Sequence, residues 1–126
     1  MPFSPESKGR LWSMTDQLTP MKGTLDTLVL KALSWEPMHG FEITTWLESQ
    51  SGGALGIDDS ALYQALDRME ERGLIKAEWG LTENNRRARY YRMTAAGRTH
   101  LRAESAKWAR YADVMTRILA VNARTT

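Results

Sequence analysis

Asn84-Asn85-Arg86-Arg87-Ala88-Arg89-Tyr90-Tyr91-Arg92-Met93-Thr94 is the stretch on which the fold of this chain turns. Asn84-Asn85 is a turn pair that tolerates positive backbone angles. It lies between Leu74-Ile75-Lys76-Ala77-Glu78-Trp79 and Arg89-Tyr90-Tyr91-Arg92-Met93, two runs of strand composition. The spacing predicts a hairpin with arginines at its tip. Between residues 82 and 102, six arginines (Arg86, Arg87, Arg89, Arg92, Arg98 and Arg102) stand against one acid, Glu83, although the whole chain carries a formal net charge of only +2. The positive charge is therefore placed rather than spread. A planar, always-charged guanidinium suits phosphate oxygens or a narrow minor groove. On this stretch alone, a solvated basic hairpin without a partner is an equal alternative.

Upstream, Leu25, Leu28, Val29, Ala32 and Leu33 recur at helical spacing, with Thr24 positioned as N-cap and Glu36-Pro37 ending the run. Met38-His39-Gly40 reads as a turn. Phe41, Ile43, Thr44 and Leu47 then form a second helical face, which Ser51-Gly52-Gly53 stops. A third helix starts where Asp58, Asp59 or Ser60 can cap it, buries Leu62, Ala65, Leu66 and Met69, and ends at Gly73. Two helices joined by a turn and followed by a hairpin spell a winged helix-turn-helix. The expected fold is mainly α (α+β), with a two-stranded wing, over residues 21–94. Residues 1–20, rich in Pro, Ser and Thr with scattered Leu11, Trp12, Met14 and Leu18, read as a partly ordered arm.

Thr94 is a natural N-cap, and no proline follows it as far as about Asn122, which predicts one long C-terminal helix over residues 95–122. Leu101, Trp108 and Met115 repeat every seven residues, with Tyr111 and Ile118 at the alternate position. This apolar seam overhangs the core that three short helices can supply. Packing against its copy in a second chain is the economical reading, and a helix folded back on its own domain is the alternative.

With 126 residues the chain is long enough for one domain with a modest core. It contains no apolar run of about eighteen residues, and Ser4-Pro5-Glu6-Ser7-Lys8-Gly9-Arg10 stands where an apolar signal core would be. A cytoplasmic protein without membrane contact is expected. There are no cysteines, which excludes disulfides and thiolate chemistry, and the two histidines, His39 and His100, are far apart. No metal and no cofactor are expected. Without a glycine-rich phosphate loop, clustered histidines or a carboxylate pair in apolar surroundings, an enzyme is disfavoured. Five Trp and seven Met are a heavy apolar load, suited to a core or to a partner surface.

In a helix-turn-helix the second helix enters the major groove with its N-terminal residues toward base edges. The outward early positions of the third helix are Ser60, Ala61, Tyr63, Gln64 and Asp67, with Arg68 one turn on. Gln64 can bond an adenine in bidentate fashion, which makes it the candidate base reader, whereas Tyr usually reaches a phosphate. Tyr63 between Leu62 and Leu66 fits a core position equally well. Asp58 and Asp59 would repel phosphates but are natural caps, and Glu70, Glu71 and Arg72 read as a solvated surface with local ion pairs.

These segments resemble the PadR family, the phenolic-acid-decarboxylase-regulator type of bacterial transcription factor. The resemblance rests on Gly23-Thr24-Leu25-Asp26-Thr27-Leu28-Val29-Leu30, His39-Gly40-Phe41-Glu42-Ile43, residues 62–75 from Leu62-Tyr63-Gln64 to Gly73-Leu74-Ile75, and residues 83–97 from Glu83-Asn84-Asn85 to Ala95-Ala96-Gly97, in the family's order. It implies a homodimeric winged-helix repressor that binds a pseudo-palindromic operator in double-stranded DNA through helices two and three and the wing. Its C-terminal helices, with helix one, would build the dimer. It further implies that Tyr63 contacts the backbone and that Arg86, Arg87 and Arg89 occupy the wing. Ala61 and Gln64 depart from the family's usual hydroxyl residue before the Leu-Tyr pair and its frequent proline after it. A single C-terminal helix is similar to the family's short-tailed branch, where an apolar cavity at the dimer interface can hold a flat, often cationic or aromatic effector. Trp108 sits where that helix would face its mate, either lining such a site or filling the dimer core. An RNA-binding domain is disfavoured because Tyr90 and Tyr91 are few and embedded. A protein-interaction adaptor is the remaining alternative, since winged helices are reused in that way.

Overall fold

The computed structural model describes residues 17–21 and 23–122. Most of the expected arm, including Leu11, Trp12 and Met14, lies outside the described residues. The first described helix, α1 (Leu25–Leu33), buries Val29, Leu30, Ala32 and Leu33 on one face. Thr24 does not cap it as expected. Its backbone is already helical (φ −95°, ψ −21°), which turns the side chain away from the first free amides. The hydroxyl instead donates to the Met21 carbonyl at 2.7 Å, closing a turn that Gly23 enters at φ +88°.

Met38-His39, expected as a turn, forms a short strand, β1 (Met38–His39). It pairs antiparallel with the far side of the hairpin, Met38 opposite Tyr91 and His39 opposite Tyr90, so the expected two-stranded wing stands in a three-stranded sheet of order β1-β3-β2. Pairing covers part of a strand edge that would otherwise present unmatched amides and carbonyls. Helix α2 (Gly40–Gln50) follows at once. His39 caps it reciprocally with Glu42: the imidazole Nδ1 accepts from the Glu42 amide at 3.3 Å, and the Glu42 carboxylate accepts from the His39 amide at 3.1 Å. After Gln50 the chain turns through Gly52 and Gly53, both at positive φ.

Helix α3 (Asp59–Glu71) is capped by Asp58, whose carboxylate accepts from the Ala61 amide at 3.1 Å. It ends in the αL manner at Gly73 (φ +74°), with the Leu74 amide returning to the Met69 carbonyl at 2.9 Å. Strands β2 (Ile75–Leu81) and β3 (Arg87–Met93) pair in register from Ile75–Met93 to Leu81–Arg87. Asn85 sits at φ 60°, and the Thr82 hydroxyl accepts from the amides of Asn84 and Arg86 at 3.3 and 3.2 Å, so the hairpin tip is internally braced. Leu30, Leu33, Ile43, Leu47, Leu62, Leu66 and Met69 form the common core, closed by Ile75, Tyr91 and Leu101.

Helix α4 (Ala95–Leu119) has 25 residues and is therefore about 37 Å long at the usual rise per residue. Of these only Gly97 and Leu101 are buried. Its cap is Thr94, whose hydroxyl accepts from the Gly97 amide at 3.0 Å and donates to the Gly73 carbonyl at 2.7 Å. The helix lies so close to the start of β2 that a Cβ on Gly97 would collide with the Leu74 carbonyl oxygen. Gly97→Ala should therefore destabilise the fold by about 1–3 kcal/mol or more despite the better helix propensity of alanine, measured by urea unfolding; an unchanged or raised midpoint would contradict this packing.

Candidate nucleic-acid interface

On α3, Ser60, Tyr63, Gln64, Asp67 and Arg68 are exposed and Ala61 is half-buried, so the outward face expected from sequence is present on one element. Tyr63 is neither a core residue nor a free surface ring. It is 48% exposed, and its hydroxyl end lies against Gly40, where any Cβ would clash with it. A residue larger than glycine at the start of α2 would push the ring away. Tyr63 thus bridges the N-termini of α2 and α3 while keeping one side open.

Across from these helix ends stands the wing, and the space between forms an open groove of about 870 Å3 bounded by Gly40, Phe41 and Tyr63 on one side and Trp79, Arg86 and Arg87 on the other. The arginines that sequence grouped together separate into distinct roles here. Arg68 pairs with Asp26 of α1 at 2.8 Å, and Arg89 pairs with Glu70 of α3 at 2.9 Å. Arg92 lies 3.9 Å from Glu78. Arg86 and Arg87 have no carboxylate within salt-bridge distance among the described residues, and the Arg87 guanidinium lies over the Trp79 ring at 4.6 Å from its centroid. Arg98 and Arg102 likewise have no ion pair among the described residues, but of these four only Arg86 and Arg87 line the groove, with Glu83 beside them at the wing tip. Burial pushes the Tyr91 phenol above its ordinary pKa; Arg89 opposes this and Glu70 adds to it.

The seam on α4 divides. Leu101, expected at a dimer interface, is 8% exposed and belongs to the core of its own domain, because the helix still runs along that core there. Trp108, Tyr111, Met115 and Ile118, further along, are all exposed. Trp108 packs on Tyr111 at 5.9 Å between centroids, and both line an open apolar cavity of about 520 Å3 bounded by Leu18–Met21, the start of α1 and Leu55. The described end of the arm is anchored there by a parallel bridge between Leu18 and Leu55.

Sequence reasoning assigns no site role to His39, Phe41, Thr82 or Trp79. His39 and Glu42 carry a readable signal, a capping pair three residues apart. Helical spacing puts Phe41 on the inward face of α2, yet it is 74% exposed at the groove, because the first turn of α2 projects beyond the core. Among the described residues, no group of three or more acids and histidines could hold a metal ion, and no helix is long and apolar enough to cross a membrane.

A helix pair joined by a turn, an exposed second helix and a basic-tipped hairpin beside it define a winged helix-turn-helix domain. A model of the transcriptional regulator PadR-like family matches residues 29–103, more than half of the chain, and the chain belongs to that family. A solved PadR family transcriptional regulator from Eggerthella lenta is 32% identical, with a TM-score of 0.68 over 80% of this chain and 86% of that one. Another, from hypervirulent Clostridium difficile, is 26% identical with a TM-score of 0.69, covering 78% of this chain and 100% of that one. Bacillus subtilis PadR, solved in complex with operator DNA, shares the fold at 20% identity and a TM-score of 0.57, over 64% of this chain and 46% of that one.

A double-mutant cycle on Glu70 and Arg89 should return a coupling of about 0.2–1 kcal/mol, the range for partly exposed pairs, when each variant is unfolded in urea; zero coupling would mean that the pair does not brace the wing against α3.

Proposed function

We propose that this protein is a homodimeric, DNA-binding transcriptional repressor that reads a pseudo-palindromic operator. The observation that carries the reading is that the exposed early face of α3 and the uncompensated arginines of the wing tip border the same groove. Helix α3 would enter the major groove, Gln64 reading a base edge with Ser60 and Ala61 beside it, while Tyr63 meets the backbone. Arg86 and Arg87 would hold phosphate or minor groove, and Arg68 and Arg89, already paired with carboxylates, would serve mainly to brace α3 and the wing. The winged domain spans residues 21–94 and the dimerisation helix 95–122. Trp108, Tyr111, Met115 and Ile118 form the exposed part of α4 that a second copy would cover. The apolar cavity beside Trp108 supports the finer reading that a flat aromatic effector relieves repression. A protein-interaction adaptor would need neither the bare wing arginines nor an open α3 face. A cytoplasmic location accords with such a role.

Selection from a random duplex pool followed by footprinting should give half-sites roughly one helical turn apart, and sedimentation should give a dimer at micromolar concentration. A monomer with no protected site would sink the proposal. Arg86→Ala should weaken all duplexes alike and flatten the slope of log affinity against log salt by about 0.9 for each phosphate that is no longer neutralised. Gln64→Ala should relax preference at one base pair per half-site at a cost of about 1–3 kcal/mol; uniform weakening across sequences would remove Gln64 from base reading.

A further inference from the structure

Strand alternation puts Trp79 and Leu81 of β2 on the same face of the hairpin as Arg87, Arg89 and Tyr91 of β3, with Trp79 opposite Arg89 and Leu81 opposite Arg87. At the base of the hairpin this face is buried through Ile75 and Tyr91; toward the tip it emerges beyond the core, leaving Trp79 61% and Leu81 64% exposed. An indole so open contributes little to the core. What it does hold is Arg87, the guanidinium lying 4.6 Å from the ring centroid. Arg89 and Arg92 on the same strand have carboxylates nearby. The distinction matters physically. A carboxylate orients a guanidinium but neutralises it and occupies its N–H donors, whereas a π face orients it, leaves the charge intact and leaves the donors at the edge of the fork free.

We propose that Trp79 is a positioning residue for duplex DNA: its indole face holds Arg87 extended along the groove wall opposite Gly40 and Tyr63, so that the fork meets a backbone phosphate without first releasing a carboxylate. This deepens and rests on the DNA-binding reading above. The ligand is the phosphodiester backbone, so the contribution is independent of base sequence. Less side-chain freedom is lost on binding because the guanidinium is already placed.

The test measures affinity for the selected operator and for an unrelated duplex, across a salt series, with wild type, Trp79→Ala, Trp79→Phe, Arg87→Ala and the double alanine variant, alongside their unfolding temperatures. Trp79→Ala should weaken both duplexes by about five- to thirtyfold in a dimer in which two arginine side chains must now be immobilised on binding, and should flatten the salt slope in the direction that Arg87→Ala does. Trp79→Phe, which keeps a π face, should restore most of the affinity. The double variant should bind no more weakly than Arg87→Ala alone, and unfolding temperatures should stay near wild type because the ring is outside the core. Wild-type affinity and slope in Trp79→Ala, failure of Trp79→Phe to rescue, or effects that add in the double variant would overturn the inference while leaving DNA binding standing. If wild-type protein retains no duplex at all, the DNA-binding reading itself falls, and this inference with it.

Discussion

The hydroxyl of Thr94 joins the three parts of the molecule that any DNA-reading role needs. It accepts from the Gly97 amide, which starts α4, and donates to the carbonyl of Gly73, which ends α3, while the Thr94 amide bonds the Leu74 carbonyl at the start of β2. Helix exit, wing base and long-helix entry are thereby fixed within a few ångströms of one another. Gly97 permits this only because it has no Cβ. The direction in which α4 leaves the domain follows from this junction.

With that frame set, charge is distributed by competition rather than by composition. The acids on α1 and α3 engage two of the arginines that sequence would assign to DNA, Arg68 and Arg89, and turn them into braces between elements. Such partly exposed pairs contribute little to stability, but they link α3 to α1 and the wing to α3. The arginines left at the wing tip then act as concentrated positive charge at the end of a stiff hairpin, where Thr82 satisfies the turn amides.

The third consequence concerns α4. The domain core covers it only as far as Leu101, and beyond that point Trp108, Tyr111, Met115 and Ile118 face outward. The cavity beside Trp108 is walled partly by the chain entering α1 and partly by Leu55 of the α2–α3 connection, itself bridged to Leu18.

What the sequence by itself determined was most of what depends on neighbours within a turn or two, with Thr24, which does not cap α1, as an exception. The helical periods, a cap among Asp58, Asp59 and Ser60, the Thr94 cap, the αL stop at Gly73 and the Asn84-Asn85 turn are local interactions, and residue spacing states them directly. Even the capping pair of His39 and Glu42 is legible in principle. Only the tertiary structure decided which arginines remain without a counter-charge, since Asp26 and Arg68 are 42 residues apart and Glu70 and Arg89 are 19 apart. It also decided that Met38-His39 becomes a strand, because two residues acquire strand character only from a partner edge. Tyr63 seated on Gly40, and Leu101 turned inward while Trp108 stays outside, belong with these. In each, the deciding energy comes from a group remote in sequence, so no local pattern can carry it.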